Sequence, residues 1–267
     1  MTTDPRALDA IEANLWAMHR DFTRIPGAEV HDTPTLLWYT CPSINSWYNG
    51  ASFSNLDPSE ADAAIAAVVG DIHARGRNVT WHVGRRSRPA DLGRRLVAAG
   101  FEVESGVAMI LPIETMNRTI TGPDFVVTAV RTRAELDDWL LTFDLAFEIE
   151  PRREHHPWIE PLSAVALDPA TPTELFVGRL DGEPVATSVG FVGAGAVGVY
   201  GVGTVPALRG RGFGGAATQA AIDWGRERGE GYAILHATEM GQPVYRRLGF
   251  QAVGQLDQYA LPAPANL

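Results

Sequence analysis

Residues 205–215, Val-Pro-Ala-Leu-Arg-Gly-Arg-Gly-Phe-Gly-Gly, bring together what a phosphorylated ligand needs. Gly210, Gly212 and Gly214 alternate with Arg209, Arg211 and Phe213, between an apolar run and a helical pattern. A backbone this bare of side chains can curl so that successive N–H groups point at one spot. The positive end of the following helix points there too, which makes a pyrophosphate a natural guest. Two other phosphate sites can be tested on the residues. No Gly-Lys-Ser/Thr follows, so a P-loop is excluded. Gly210-Arg-Gly212-Phe-Gly-Gly215 satisfies the dinucleotide spacing G-x-G-x-x-G, but Glu227 and Glu230 fall at a helix end instead of on a second strand.

The next elements add a second signal. Phe213, Ala217, Ala220, Ala221 and Trp224 recur at helical spacing and Gly229 stops the helix. Tyr232–His236 reads as a short buried strand, followed by Tyr245-Arg-Arg-Leu-Gly249-Phe250 and a closing strand near Gln255–Leu261. Arg209-Gly-Arg-Gly212-Phe-Gly214 resembles the acyl-CoA pyrophosphate loop, Arg/Gln-x-x-Gly-x-Gly/Ala, of the GNAT superfamily of N-acetyltransferases. Tyr245-x-x-x-Gly249-Phe250 is similar to the Tyr-x-x-x-Gly-Phe that ends a short helix in the same enzymes.

The resemblance implies acetyl-CoA as acyl donor, an amine as acceptor and direct attack of that amine on the thioester. It places Val202, Thr204, Val205, Arg209, Gly210, Arg211, Gly212, Phe213, Gly214, Gly215 and Tyr245 around the cofactor. The strand Tyr200–Thr204 would lie beside the pantetheine arm, with the Val202 N–H as candidate oxyanion donor. Tyr245 would be the general acid, since a phenol is protonated at neutral pH and can return a proton to a departing thiolate; it can equally be an amphipathic tyrosine packing a helix on a sheet. Glu148 and Glu150 stand where relatives build the acceptor pocket and are the candidate catalytic bases, in an acidic stretch with Asp144, Glu154 and Glu160. His155-His156 has no third ligand at plausible spacing, and no metal is expected. His236 is either a base on the sheet floor or a satisfied core histidine. An acyl-CoA-binding module without turnover and an acetyltransferase of peptide or protein amines are the alternatives to a small-molecule enzyme.

These residues need a scaffold. The chain has 267 residues, a size at which one core usually becomes two. A mean hydropathy near zero (−0.06) marks a globular composition. No run approaches the roughly 18 apolar residues that span a bilayer, and no basic-then-apolar leader opens the sequence, so a cytoplasmic protein is expected. One cysteine, Cys41, excludes an internal disulfide. Every basic residue is arginine, and the net charge of −10 argues against nucleic acid as a partner. The expected partner is a small-molecule amine, and the expected state a monomer or homodimer.

The expected fold is a mixed α/β arrangement of two tandem GNAT-like domains, each a mostly antiparallel mixed sheet flanked by helices: residues 1–118, a linker 119–123, and a catalytic domain 124–267. In the first half, Leu8, Ile11, Leu15, Met18 and Phe22 predict an amphipathic helix capped by Asp4. Strands are expected at 35–40, 47–54, 79–83 and 102–111, with helices at 59–74 and 90–99. In the second, strands are expected at 125–130, 174–179, 185–192 and 196–205, with a helix at 134–147. The halves read as a degenerate repeat, with Arg75-Gly76 and Gly100-Phe101 mirroring Arg228-Gly229 and Gly249-Phe250. Aligning the Gly-Phe pairs puts Leu96 where Tyr245 stands, so the first copy lacks both the acid and the glycine loop. The aromatic-rich set Trp38, Tyr39, Trp47, Tyr48 and Trp81 either fills the first core or selects an acceptor.

Overall fold

The computed structural model describes residues 5–43, 46–149 and 165–264. They form two compact units, each interrupted in sequence: residues 15–107 with 254–267, and residues 1–14 with 108–253. The first helix, α1 (Pro5–Asp21), is divided between them at Asn14. The expected cap of this helix, Asp4, lies outside the described residues.

The first unit holds β1 (Glu29–Asp32), β2 (Leu36–Thr40), β3 (Asn49–Ser54), α2 (Ala61–His73), β4 (Val79–Val83), α3 (Leu92–Ala98), β5 (Glu102–Glu104) and β13 (Asp257–Leu261). Its sheet runs β1-β2-β3-β4-β13-β5. Ala61, Ile65, Val68 and Ile72 recur at three- and four-residue spacing and give α2 one buried face. That face packs with Trp81, Leu92, Leu96 and Phe101 in a single core. β3 and β4 run parallel, and a Cβ on Gly50 would fall 1.6 Å from the Thr80 carbonyl oxygen, so only glycine lets the two backbones meet there.

The second unit holds β6 (Val107–Pro112), β7 (Phe125–Ala129), α4 (Arg133–Ala146), β8 (Thr173–Leu180), β9 (Glu183–Gly193), β10 (Ala196–Thr204), α5 (Phe213–Glu227), β11 (Tyr232–Ala237), α6 (Gln242–Leu248) and β12 (Gln251–Gln255). Its sheet runs β12-β6-β11-β10-β9-β8-β7. Tight turns with positive φ at Asp181-Gly182 and Ala194-Gly195 join β8 to β9 and β9 to β10, as two-residue hairpins require. Helix α4 opens on a capping box: Thr132 Oγ1 accepts from the Glu135 N–H, and the Glu135 carboxylate accepts from the Thr132 N–H at 2.9 Å.

The two sheets repeat one plan. The run β1-β2-β3-β4 corresponds to β8-β9-β10-β11, with one parallel pair in each, β3/β4 and β10/β11. Each then has a slot before its edge strand. In the first sheet β13 fills the slot between β4 and β5; in the second, β6 fills the slot between β11 and β12. The strand expected at 102–111 is therefore two strands in two sheets, and the closing strand expected near 255–261 is β13 of the first sheet, parted by Leu256 from β12 of the second. Both breaks fall at one backbone crossing. The Leu256 N–H donates to the Gly106 carbonyl at 3.0 Å, and a Cβ on Gly106 would sit 2.5 Å from the Leu256 oxygen. Residues 119–123, expected as a linker, lie within the second unit. Strand β1 has no counterpart in the sequence expectations, because its four residues are partly or wholly exposed and show no apolar alternation.

Of the aromatic set in the first unit, Tyr39 and Trp81 are fully buried, and Trp38 stacks on His31 with centroids 3.9 Å apart. Burial pushes the Cys41 thiol up to about 12, so it is held as a thiol and not as a nucleophilic thiolate.

Candidate active site

The glycine segment is built as the spacing demands. Pro206–Leu208 forms a 3-10 turn after β10, and Gly210 and Gly212 take φ of 80° and 88°. Gly212 caps α5 in the left-handed region, where a side chain would be strained. Phe213 turns inward and stacks on Phe125 at 4.2 Å, which anchors the start of the helix to β7. The first helical hydrogen bond runs from the Ala216 N–H to the Gly212 oxygen at 3.0 Å. The N–H groups of residues 210–215 make no backbone hydrogen bond among the described residues. A run of free donors at the positive end of a fifteen-residue helix is an anion cradle.

The arginines of that segment have protein contacts of their own. Arg209 points away from the cradle: Nη2 donates to the Ala146 carbonyl at 2.7 Å, Nε to the Thr204 carbonyl at 3.2 Å, and Nη1 to Glu148 at 3.1 Å. It clasps the end of α4 to the end of β10. Arg211 is exposed and lies over the Phe213 ring at 5.0 Å. Loss of the Arg209 clasp in Arg209→Ala is expected to lower the melting temperature of the ligand-free protein by about 2–4 °C, the shift for roughly 1 kcal/mol in a chain of this size. An unchanged melting temperature would mean that Arg209 serves only the ligand.

Beside the cradle, β10 parts from β11. The two strands pair in parallel only at Ala196–Tyr232, Val197–Ala233 and Gly198–Ile234. From Val199 onward β10 keeps register with β9 alone, and a bulge interrupts even that between Tyr200 and Gly203. Val202 sits inside the bulge, outside the register with either neighbour, and Gly201 has φ of 55°. Thr187 Oγ1 holds the bulge by donating to the Gly201 carbonyl at 2.9 Å. Val202 and Thr204 face α5, since a Cβ on Gly214 would lie 3.3 Å from Thr204 Oγ1 and 3.7 Å from Val202 Cγ1. A strand edge free of its neighbour, ending at an anion cradle, is the shape that accepts an amide-bearing arm as an added strand.

Tyr245 lies on α6 between two glycines. A Cβ on Gly241 would come within 2.9 Å of its ring, and Gly249 ends the helix at φ 104°. Its ring is buried against Phe250, and its hydroxyl makes no hydrogen bond among the described residues. Burial raises the phenol to about 12, so it carries its proton throughout the physiological range.

Of the two candidate bases, Glu148 is the one among the described residues. Glu148 is exposed, at φ 57°, and paired with Arg209. The candidate base and a candidate phosphate ligand are thus one surface ion pair. Asp144 is buried on α4. Glu150, Glu154, Glu160 and His155-His156 lie outside the described residues. Among the described residues, no three His, Cys, Asp or Glu side chains are grouped to hold a metal.

Several contributors gave no sequence signal. Asn14 of α1 donates to the carbonyls of Gly193 and Ala196 at 2.8 and 2.9 Å, and accepts from Tyr200 Oη at 2.8 Å. A lone asparagine in an amphipathic helix announces nothing of this. Thr119 packs its side chain on the glycine turn, 2.9 Å from a Cβ built on Gly215, and its N–H donates to Gln219 at 2.9 Å. The aromatic ladder Trp139, Phe143, Phe147 repeats at i, i+4, i+8, a spacing the sequence expectations did not single out. Phe143 and Phe147 lie against Gly201 and Gly203, where a Cβ would meet them at 3.4 and 3.1 Å. His236, on β11 two residues past the last pair with β10, faces Tyr200 with ring centroids 6.2 Å apart.

Residues 134–250 match the family model described as Acetyltransferase (GNAT) family. A GCN5-related N-acetyltransferase from Kribbella flavida superimposes with a TM-score of 0.68 at 19% identity, covering 95% of this chain and 96% of that one. One from Sphaerobacter thermophilus gives 0.60 at 13% identity, covering 98% and 93%. A tandem GNAT protein from the clavulanic acid biosynthesis pathway gives 0.58 at 11% identity, covering 98% and 95%. These structures share the two-sheet fold over nearly their whole length. No curated protein sequence matches the chain.

Proposed function

Given that residues 134–250 are a domain of the GNAT acetyltransferase family, we propose that the chain transfers an acetyl group from acetyl-CoA to a primary amine of a small molecule. The observation that carries the reading is the free N–H run of residues 210–215 beside the parted edge of β10. The cradle takes the pyrophosphate, and the pantetheine adds along Val199–Thr204. The Val202 N–H, released by the bulge, receives the developing oxyanion. Tyr245 supplies a proton to the departing thiolate. The first unit has the same sheet plan without a glycine loop, and buried Leu96 stands in the place of the acid. The reading therefore has one donor site per chain, in a cytoplasmic protein that needs no metal.

Calorimetric titration with acetyl-CoA, with NADH as control ligand, tests this first. The expected result is one site per chain with about micromolar affinity and no response to NADH. Thiol release with tyramine, glucosamine, spermidine and a short peptide then identifies the acceptor class. Binding without transfer to any amine would favour an acyl-CoA-binding module, and the absence of binding would end the reading.

A further inference from the structure

His236 is built into the parted strands in a way that the fold does not need. Strand β11 carries it past Ile234, the last residue paired with β10, onto the sheet face that holds Tyr200. Both ring nitrogens are buried, and neither has a hydrogen-bond partner among the described residues. The neighbour that could serve is committed elsewhere: Tyr200 Oη donates to Asn14 Oδ1, and Asn14 is fixed by the carbonyls of Gly193 and Ala196. A buried imidazole with two unmet polar atoms is destabilising, and a sequence serving packing alone would place an apolar residue there. Desolvation holds the ring neutral, down to about 4, so above pH 5 it offers one lone pair and one N–H. Glu148, by contrast, is an exposed carboxylate already paired with Arg209.

Resting on the acyltransferase reading, we propose that His236 is a catalytic residue that receives the acceptor amine and removes its proton. A ring nitrogen accepts a hydrogen bond from the neutral amine. The amine nitrogen bonds to the thioester carbonyl carbon, the carbon–sulfur bond breaks, and the amine proton passes to the imidazole. The thiolate takes a proton from Tyr245. The imidazolium proton returns to the tyrosinate as the products leave, so the net products are the amide and free CoA thiol. The negative charge that develops on oxygen and sulfur during the reaction favours the protonated ring, which burial alone disfavours.

The test compares wild type, His236→Leu and His236→Gln in three measurements. Leucine is near in volume and removes both unmet polar atoms; glutamine keeps a donor and an acceptor but takes no proton. For His236→Leu the expected results are a melting temperature equal to or above that of wild type and an acetyl-CoA affinity within about twofold. Its kcat should fall about 100-fold with the best amine of the panel. His236→Gln should restore the KM for that amine but not kcat. A melting temperature several degrees lower in both variants would make His236 a packing residue and overturn the proposal, as would turnover within threefold of wild type. If wild type binds no acetyl-CoA, the acyltransferase reading falls and this proposal with it. If wild type binds and transfers while His236→Leu transfers equally well, only the role of His236 falls.

Discussion

Gly214→Asp is expected to weaken acetyl-CoA binding at least about 100-fold, a loss of roughly 2.7 kcal/mol, without lowering the melting temperature. The residue is the second of α5, and its N–H belongs to the free run that forms the cradle. An aspartate there sets a negative charge where the pyrophosphate must sit, so repulsion adds to the crowding of Thr204 Oγ1 by the new side chain. The fold should tolerate the change, because an acidic residue in the first turn of a helix is favourable by about 0.3–1 kcal/mol. Replacing glycine within a helix recovers further propensity. Stability and binding are therefore expected to separate, which calorimetry and a thermal melt on one sample will show. Gly214→Asn, with nearly the same shape and no charge, should lose far less. Equal losses in both variants would assign the effect to sterics, and undiminished affinity in Gly214→Asp would remove the cradle from the mechanism.

Tyr245→Phe should lower kcat by about 100-fold or more, within the range general acids contribute, and leave the acetyl-CoA affinity within twofold. Tyr245 is a buried residue and its hydroxyl makes no hydrogen bond among the described residues, so its removal costs no internal contact. A melting temperature equal to or slightly above wild type follows. Because burial holds the phenol near 12, the wild-type rate should show no alkaline decline from this group below about pH 10. Thiol release at saturating acetyl-CoA across pH 6–10 checks both statements. Turnover within threefold of wild type would return Tyr245 to a packing role.

What could be read from the sequence was local. The glycine spacing at 210–215 has a backbone reason, and the structure shows left-handed φ at Gly210 and Gly212 and a helix opening at Phe213. Most strands and helices fall where periodicity put them, within two or three residues at each end. What could not be read was long-range. The crossing of Gly106 and Leu256 depends on residues 150 positions apart meeting, and nothing in either window distinguishes one long strand from two short ones. The contacts of Arg209 were hidden for a similar reason. A glycine-rich turn suggests phosphate for any arginine within it, while the Ala146 carbonyl that takes its guanidinium comes from the end of a helix 63 residues earlier. His236 was visible but ambiguous, since a satisfied core histidine and an unsatisfied one have the same one-letter sequence. The difference lies in whether β11 still pairs with β10 at that point.

The slots occupied by β6 and β13 bear on how the chain is made. During synthesis the first sheet has all its strands but one by residue 104, yet the strand that completes it, 257–261, is added only after some 150 further residues. Until then the facing edges of β4 and β5 expose unpaired amides and carbonyls, and a nascent chain in that state is open to wrong pairing. The second sheet has the opposite timing: its inserted strand is made early and must wait for β11 and β12. Folding therefore closes late and over long sequence separations, which slows it. The gain is a lock. A protease cut anywhere in residues 113–250 leaves both halves holding a strand of the other sheet, so the pieces stay together until both sheets open.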